Sequence, residues 1–590
     1  MSIDIETYRL KAQEAIEYVF VKEYHNSLGI PMPIVKMLLP DDANYSTGQY
    51  YITIDKTWQI HLNFGKLPIS YHEFQNEVKV LTRHEIEHYM CCPFDVITHF
   101  RMLKRIRDVY YKHFSHLGIN IKYACGAISN QAADIIVDTK NYYRHSKETL
   151  KSEIDWIKIG ANISACPRHC KLMFLTKEAI WKEDLGINET DPEFLKIVHQ
   201  LADSFTKNGI EDKSSFLDKV EEYAEIFFKL YVEDQKNPQQ SSQQGSKQQS
   251  GQQGSQQQSG QQGPQQQSGQ QGSQQQSGQQ GSQQQSGQWG VGRPKDGDEH
   301  GNAFVFADPD KVKEAIEVLA EETSVEEFID LLAIAGIIGM SDKQKGVLWF
   351  NVQSANIIPI VEFSNTGNKS SYTYPSVWRI GDPIEELDLM LTYMTSPRLI
   401  PGMTTKKWEY VSNDDNGTES KQMDLLLVVD TSGSMGSAMK ESANMHQAVL
   451  ASYGILSYFE STKSKVAFIG FSDKIDAYVD WSDKYDDVRE RLLTNGHGGT
   501  KFPISRIKST LDVRSRDLVT VLITDGDLGN INESVSYFRD YLNDDNKLYI
   551  FLLGGSKSLH SYEPLKNIGA KIYNANNANE FCDMVLTDME

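Results

Sequence analysis

Two stretches of this sequence carry residue types whose spacing could do chemistry. In "VLTRHEIEHYM", Val80 to Met90, His84 and His88 stand four residues apart and Glu85 follows the first directly. On a helix, positions i and i+4 share a face, so both imidazoles can meet one ion, while Glu85, one residue round, addresses a water on it. Zinc lowers the pKa of such a water towards neutrality, and a carboxylate within hydrogen-bond reach takes its proton as the water attacks a peptide carbonyl. Two histidines are one short of the three protein ligands a catalytic zinc needs. Downstream, "ISNQAADIIVDTKNYY" places Asn130, Asp134 and Asp138 at i, i+4 and i+8 on one face of a predicted helix, with Ala132 and Ala133 permitting close approach to a neighbour. Asp134 is the expected third ligand; Asp138 is the alternate, or a residue that orients a ligand. The alternative is a buried polar helix whose histidines are satisfied without an ion.

The second stretch, "LLLVVDTSGSMGS", sets Asp430, Ser432 and Ser434 in a D-x-S-x-S pattern at the end of an apolar run. In an open α/β sheet the carboxyl ends of the strands form the ligand crevice, and a small residue such as Gly433 lets a loop wrap an ion. Carboxylate and hydroxyl oxygens suit Mg2+, which keeps waters and leaves room for an acid from a partner. Two further pieces are present: "GHGGT", ending in Thr500, and "LITDGD", in which Asp525 ends another apolar run. Simple helix capping by Asp and Ser accounts for the first loop but not for the other two pieces.

These residues need elements to position them. An amphipathic helix is predicted over Glu6 to Glu23, and "QYYITIDKTWQIHLNF" reads as a hairpin around Lys56-Thr57. A helix follows over His72 to Cys91, with Phe74, Val78 and Leu81 on a stripe that continues to Glu85 and His88 before Pro93 stops it. Next comes the helix-length segment "DVITHFRMLKRIRDVYYKHF", whose basic part, Arg101 to Lys112, reads as a solvated amphipathic helix. From Asn237 to Gln288 the chain is almost entirely Gln, Ser and Gly in a nine-residue repeat, "GSQQQSGQQ". Nothing there offsets the entropy of ordering, so a disordered tether is expected, about 52 residues long with a root-mean-square span of roughly 40 Å. Asp308 to Ile338 reads as helical and Gly346 to Tyr410 as mixed. From Met423 onward continuous apolar strands alternate with amphipathic helices, the pattern of a buried parallel sheet covered on both faces.

A length of 590 residues exceeds what one core organises, so two or three domains are expected. The formal charge of −21, from 80 acids against 59 bases, argues against a sequence-independent grip on nucleic acid, which requires concentrated Lys and Arg. Acids stand where a signal peptide would carry a positive region, and no window approaches a membrane span, so a cytosolic protein without membrane contact is expected. Six cysteines in a chain this long do not make a disulfide framework. Cys166, His169 and Cys170 in "CPRHC" read as a loop thiol pair rather than a zinc knuckle.

H-E-x-x-H followed by N-x-A-A-D, in a chain ending with the acidic-serine motif, resembles a bacterial and archaeal family of metallopeptidases fused to a von Willebrand factor A-like domain. The likeness spans roughly the first 150 and last 170 residues. In the gap between His88 and Asp134 this chain carries a helix-length segment longer than the family suggests. The resemblance implies a multidomain protein. An α+β zincin-like domain would occupy 1–235, a disordered linker 236–290, a mixed helical and strand connection 300–420, and an α/β, Rossmann-like, mostly parallel von Willebrand factor A domain 421–590. It further implies a Zn2+ site of His84, His88 and Asp134 with Glu85 as catalytic base. The metal-ion-dependent adhesion site would hold Mg2+ through Asp430, Ser432, Ser434 and Thr500 directly and through Asp525 by way of water. Its partner would be a protein offering Glu or Asp to that ion, and a MoxR-type AAA+ ATPase is a second implied partner. The expectation is therefore a zinc peptidase recruited to its protein substrate by the second domain; the alternative is a non-catalytic adaptor or maturation factor.

Overall fold

The computed structural model describes residues 5–25, 34–37, 50–54, 59–64, 70–160, 163–236, 309–337, 340–357, 372–377, 387–388, 406–410, 423–514 and 517–575, the last without 527, 529, 545 and 555–558. The Gln/Ser/Gly repeat and the Lys56-Thr57 turn lie outside these residues. The chain divides into two units, Met1–Ile316 with Ala333–Ile337, and Glu317–Leu332 with Ile338–Glu590.

The first unit is helical with one small sheet. Helix α1 (Ile5–Tyr18) runs into a π-helical turn, Val19–Glu23. Strands β2 (Tyr50–Ile54) and β3 (Gln59–Phe64) pair antiparallel, with Ile52 opposite Leu62, as the hairpin reading expects. Beside β3 lies a parallel strand, β1 (Ile34–Met37), that four residues of sequence do not announce. Helix α2 (Tyr71–Met90) opens on a Ser-x-x-Glu box: the Ser70 hydroxyl accepts from the Glu73 amide at 3.3 Å and donates to the Glu73 carboxylate at 2.8 Å. Of its predicted stripe, Phe74 and Val78 are buried and Leu81 is half-buried; Ile86, further round the helix, is buried as well.

Helix α3 (Val96–Val109) is amphipathic, as expected for its basic part. Phe100, Met102, Leu103 and Ile106, with Arg107, are buried on the face against α4 (Ile121–Gly160) and α7 (Phe216–Lys236), while Arg105 is exposed and Arg101 and Lys104 are half-buried. Helix α4 is the spine of the unit: α2, α3, α5 (Arg168–Trp181) and α7 all pack on it, and α6 (Pro192–Thr206) packs on α5. Ala132 and Ala133 are buried, as close helix packing requires.

Helices α8 (Pro309–Glu321), α9 (Val325–Ile334) and α10 (Asp342–Ile357) come next, followed by an antiparallel sheet in the order β4-β6-β5 (Tyr372–Val377, Lys406–Tyr410, Leu387–Asp388). A six-stranded sheet then forms the core of the second unit. Its strands are β7 (Asp424–Asp430), β8 (Val466–Phe471), β9 (Ile475–Ser482), β10 (Leu518–Thr524), β11 (Lys547–Leu553) and β12 (Lys571–Ala575), in the order β12-β11-β10-β7-β8-β9. All neighbours are parallel except β9, which turns back antiparallel on β8. Every residue of β7 and β10 is buried, which explains their unbroken apolar runs. From β9 inward the order is third, second, first, fourth, fifth, sixth, compatible with a Rossmann-like domain whose connections leave β7 and β10 in opposite directions. Among the described residues no helix is long and apolar enough to cross a membrane.

Candidate metal centres

Helix α2 delivers His84 and His88 to one face, and α4 crosses that face with Asp134. The His84 and His88 Nε2 atoms lie 3.0 Å apart, and Asp134 Oδ1 lies 3.2 Å from the second and 3.6 Å from the first. Among the described residues this is the group of His, Cys, Asp and Glu side chains placed to hold a metal ion; Cys166, His169 and Cys170 form no such group. Tetrahedral zinc about 2.0–2.1 Å from its ligands sets those ligands about 3.3 Å from one another, so the three distances match its requirement to a few tenths of an ångström. The His84, His88 and Asp134 side chains keep 22, 15 and 14% of their surface exposed, while the Asp134 Oδ1 atom itself is buried.

The outer ring atoms fix the tautomers. His84 Nδ1 meets Asp138 Oδ1 at 2.7 Å, and His88 Nδ1 meets the Cys92 carbonyl oxygen at 2.9 Å. Both partners accept, so each Nδ1 donates, and Nε2 of each ring faces the other. Two imidazole nitrogens and a carboxylate oxygen converging in this way suit a positive charge between them. In the metal-free protein a proton serves in part: burial by itself would lower the His84 pKa, but the Asp138, Asp134 and Glu85 carboxylates raise it to about 10. One proton does not satisfy all three atoms, because Asp134 Oδ1 is buried and has no hydrogen-bond partner among the described residues. Its other oxygen, Oδ2, accepts from Asn130 Nδ2 at 2.9 Å.

Asp138, the alternate ligand, stands on the far side of the His84 ring and belongs to the support of the site. Its second oxygen accepts from Lys177 Nζ at 2.9 Å, and Lys177 also pairs with Glu153. Burial opposes ionisation of Asp138, but Lys177 and His84 hold its carboxyl well below the usual range.

A second stripe of α2, one residue round, clamps the two helices. Arg83 takes Glu23 in a two-point pair at 2.6 and 2.8 Å and also reaches Glu148 on α4. Glu87, fully buried, pairs with Lys140 at 2.8 Å and Arg144 at 2.9 Å on α4, and accepts from the Tyr24 hydroxyl at 2.9 Å. Arg83 and Glu87 thus hold α2 in register with the helix that carries Asp134. Glu85 is half-buried on the same helix, close enough for its charge to act on His84.

In the second unit, Asp430 ends β7 and Asp525 follows β10, so the two carboxylates meet at the point where the chain reverses its winding. The Ser432 and Ser434 hydroxyl oxygens are 3.2 Å apart, Ser434 Oγ donates to Asp525 Oδ1 at 3.0 Å, and Ser432 N donates to Asp430 Oδ1 at 2.8 Å. Asp430 Oδ2 accepts from Thr524 Oγ1 at 2.6 Å, and Asp525 Oδ2 from Asn444 Nδ2 at 3.1 Å. Burial, with repulsion from Asp525, raises the Asp430 pKa. Four oxygen-bearing side chains gathered around a carboxylate that burial strains towards neutrality suit a hard divalent cation. The loop carrying Thr500 reaches this cluster through Gly498, whose carbonyl accepts from the Gly433 amide at 3.3 Å.

Of the residues singled out in the sequence, the structure brings His84, His88, Asp134 and Asp138 together and gathers Asp430, Ser432, Ser434 and Asp525, with Glu85 on the helix of the histidines and Thr500 on the loop beside the second cluster. Lys177, Glu153, Thr524 and Asn444, which contact these groups, carry no signal in the sequence because packing between distant segments brings them there. Glu87 carries a readable signal, since Arg83 and Glu87 repeat the i, i+4 spacing of the histidines on the adjoining stripe.

No protein-family model matches this chain, and no curated protein matches it. Among solved structures it is similar to the crystal structure of the conserved hypothetical protein BatB from Bacteroides thetaiotaomicron, with 12% identity, 28% of this chain and 97% of that chain covered, and a TM-score of 0.25.

Proposed function

We propose that this chain is a zinc-dependent peptidase whose second unit is a Mg2+-dependent, von Willebrand factor A-like module that recruits the protein to be cut. The observation that carries the reading is Asp134 Oδ1, buried and without a hydrogen bond, 3.2 and 3.6 Å from two imidazole nitrogens whose outer atoms are already committed as donors. A proton relieves one contact there; a divalent ion relieves all three. His84, His88 and Asp134 would hold zinc, and zinc, when bound, supplies an acidified water and polarises the scissile carbonyl. Asp138 and the Cys92 carbonyl keep both rings turned with Nε2 inward. Glu85 takes the proton of the attacking water at its carboxylate and returns it to the leaving amine.

In the second unit Asp430, Ser432, Ser434 and Thr500 would hold Mg2+ directly and Asp525 through water, with an acidic side chain of the partner completing the shell. The strand order and the D-x-S-x-S loop at its switch point support this reading. The same resemblance makes a MoxR-type AAA+ ATPase, or a protein it remodels, the proposed partner, in a reducing, cytosolic setting.

The test is Glu85→Gln in the full chain, assayed on an unfolded protein substrate with zinc content measured in parallel. Cleavage should fall by about 10²- to 10⁴-fold with zinc retained. Cleavage unchanged by the substitution, or abolished by Asp430→Ala while His84→Ala leaves the protein's function intact, would move the reading to a non-catalytic adaptor or maturation factor.

A further inference from the structure

We infer that Lys177 is a positioning residue for the metal centre, acting through Asp138 on the affinity of His84 for zinc; this rests on the zinc reading above. Lys177 is 2% exposed and lies on α5, an element that contributes no ligand. A lysine is seldom buried to that degree, and here its chain is packed near the rings of Phe174 and Trp181, with Nζ 5.2 and 5.9 Å from their centres. Trp181 is in turn fixed to α4 by a hydrogen bond from Nε1 to Thr139 Oγ1 at 3.0 Å.

An ammonium can only donate. It donates to Asp138 Oδ2 at 2.9 Å, which leaves Oδ1 to accept from His84 Nδ1 at 2.7 Å. The direction of every bond in the chain from Lys177 through Asp138 to His84 is therefore set, and it leaves Nε2 as the ring atom of His84 aimed at the ligand position. Without Lys177, Asp138 keeps one of its two anchors and can rotate away from the ring. Glu153, the other partner of Lys177, touches neither imidazole in this arrangement and neutralises the second side of the buried ammonium. This divides the two partners into one that serves the metal and one that serves the lysine.

The experiment compares the full-length wild type, Lys177→Met and Glu153→Gln by zinc competition against a chromophoric chelator, with the thermal midpoint of each zinc-free protein recorded alongside. Lys177→Met should weaken zinc by about 10- to 100-fold, the range typical of residues that orient a metal ligand. Glu153→Gln should lower the midpoint while leaving zinc affinity within about threefold. If Lys177→Met does not fold, the double variant Lys177→Met/Glu153→Gln, which removes the paired charges together, carries the same expectation. Wild-type affinity in the lysine variants, or losses in all variants that track their midpoints, overturns the positioning role. A wild type that binds no zinc overturns the zinc reading itself, so the two failures are distinct.

Discussion

The acidity of the first metal centre makes a prediction that can be worked through. In the metal-free protein His84 carries a proton up to about pH 10, whereas a ring that ligates zinc through Nε2 must be neutral there. Zinc binding below that pH therefore expels one proton, and affinity should rise about tenfold per pH unit. Between pH 7 and pH 9 the gain is about 100-fold, or about 2.7 kcal/mol. Stability of the zinc-free fold runs the opposite way. A histidine whose folded pKa lies above its unfolded value of about 6.5 contributes fully below that value and ceases to contribute as pH rises through about 10. Added zinc should thus raise the melting temperature more at pH 8.5 than at pH 6.5. Isothermal titration in two buffers of different ionisation enthalpy counts the released proton directly. A zinc affinity flat between pH 7 and pH 9, or release of no proton, would refute the reasoning, because it would mean that zinc does not displace the proton held on His84.

Other consequences follow from single contacts. Glu87→Ala leaves Lys140, 7% exposed, with only the exposed Glu211 carboxylate at 3.1 Å and should cost about 1–3 kcal/mol in urea unfolding; a loss below about 0.5 kcal/mol would show that the helix clamp is dispensable. Gly496→Ala would set a Cβ 2.3 Å from Asp476 Oδ2 and 2.5 Å from the Thr431 carbonyl oxygen, so the loop bearing Thr500 must retreat. Its Mg2+ affinity should drop at least about tenfold with circular dichroism unchanged, and unaltered binding would exclude Thr500 from the site. Thr524→Val removes the hydroxyl that donates to Asp430 Oδ2 at 2.6 Å and should destabilise the second unit by about 1–3 kcal/mol in chemical unfolding; an unchanged midpoint would show that this bond does not hold Asp430.

How far the sequence reaches differs between the two centres for physical reasons. The spacing of His84 and His88 predicts a shared helical face, and α2 provides one. Asp134 and Asp138 are equally legible as a face of α4, yet which of them stands with the histidines depends on how α4 is rotated against α2. That rotation is set by Arg83 and Glu87 gripping Glu148, Lys140 and Arg144, side chains up to 65 positions apart. Lys177 is invisible in sequence for the same reason: a lysine in a helix is by default a solvated residue, and only the packing of α5 on α4 buries it. In the second unit the apolar runs reveal β7, β8, β10 and β11, because buried parallel strands have no polar face. The edge strand β9 alternates, "IDAYVDWS", and nothing in such a run states that it returns antiparallel.

The most direct test of the account is the metal content of purified wild type, His84→Ala and Asp134→Ala by elemental analysis, with matched circular dichroism. The account predicts about one zinc per wild-type chain and loss of that zinc in both folded variants. Wild type that holds no zinc after supplementation, or Asp134→Ala that keeps it, would contradict the three-ligand centre.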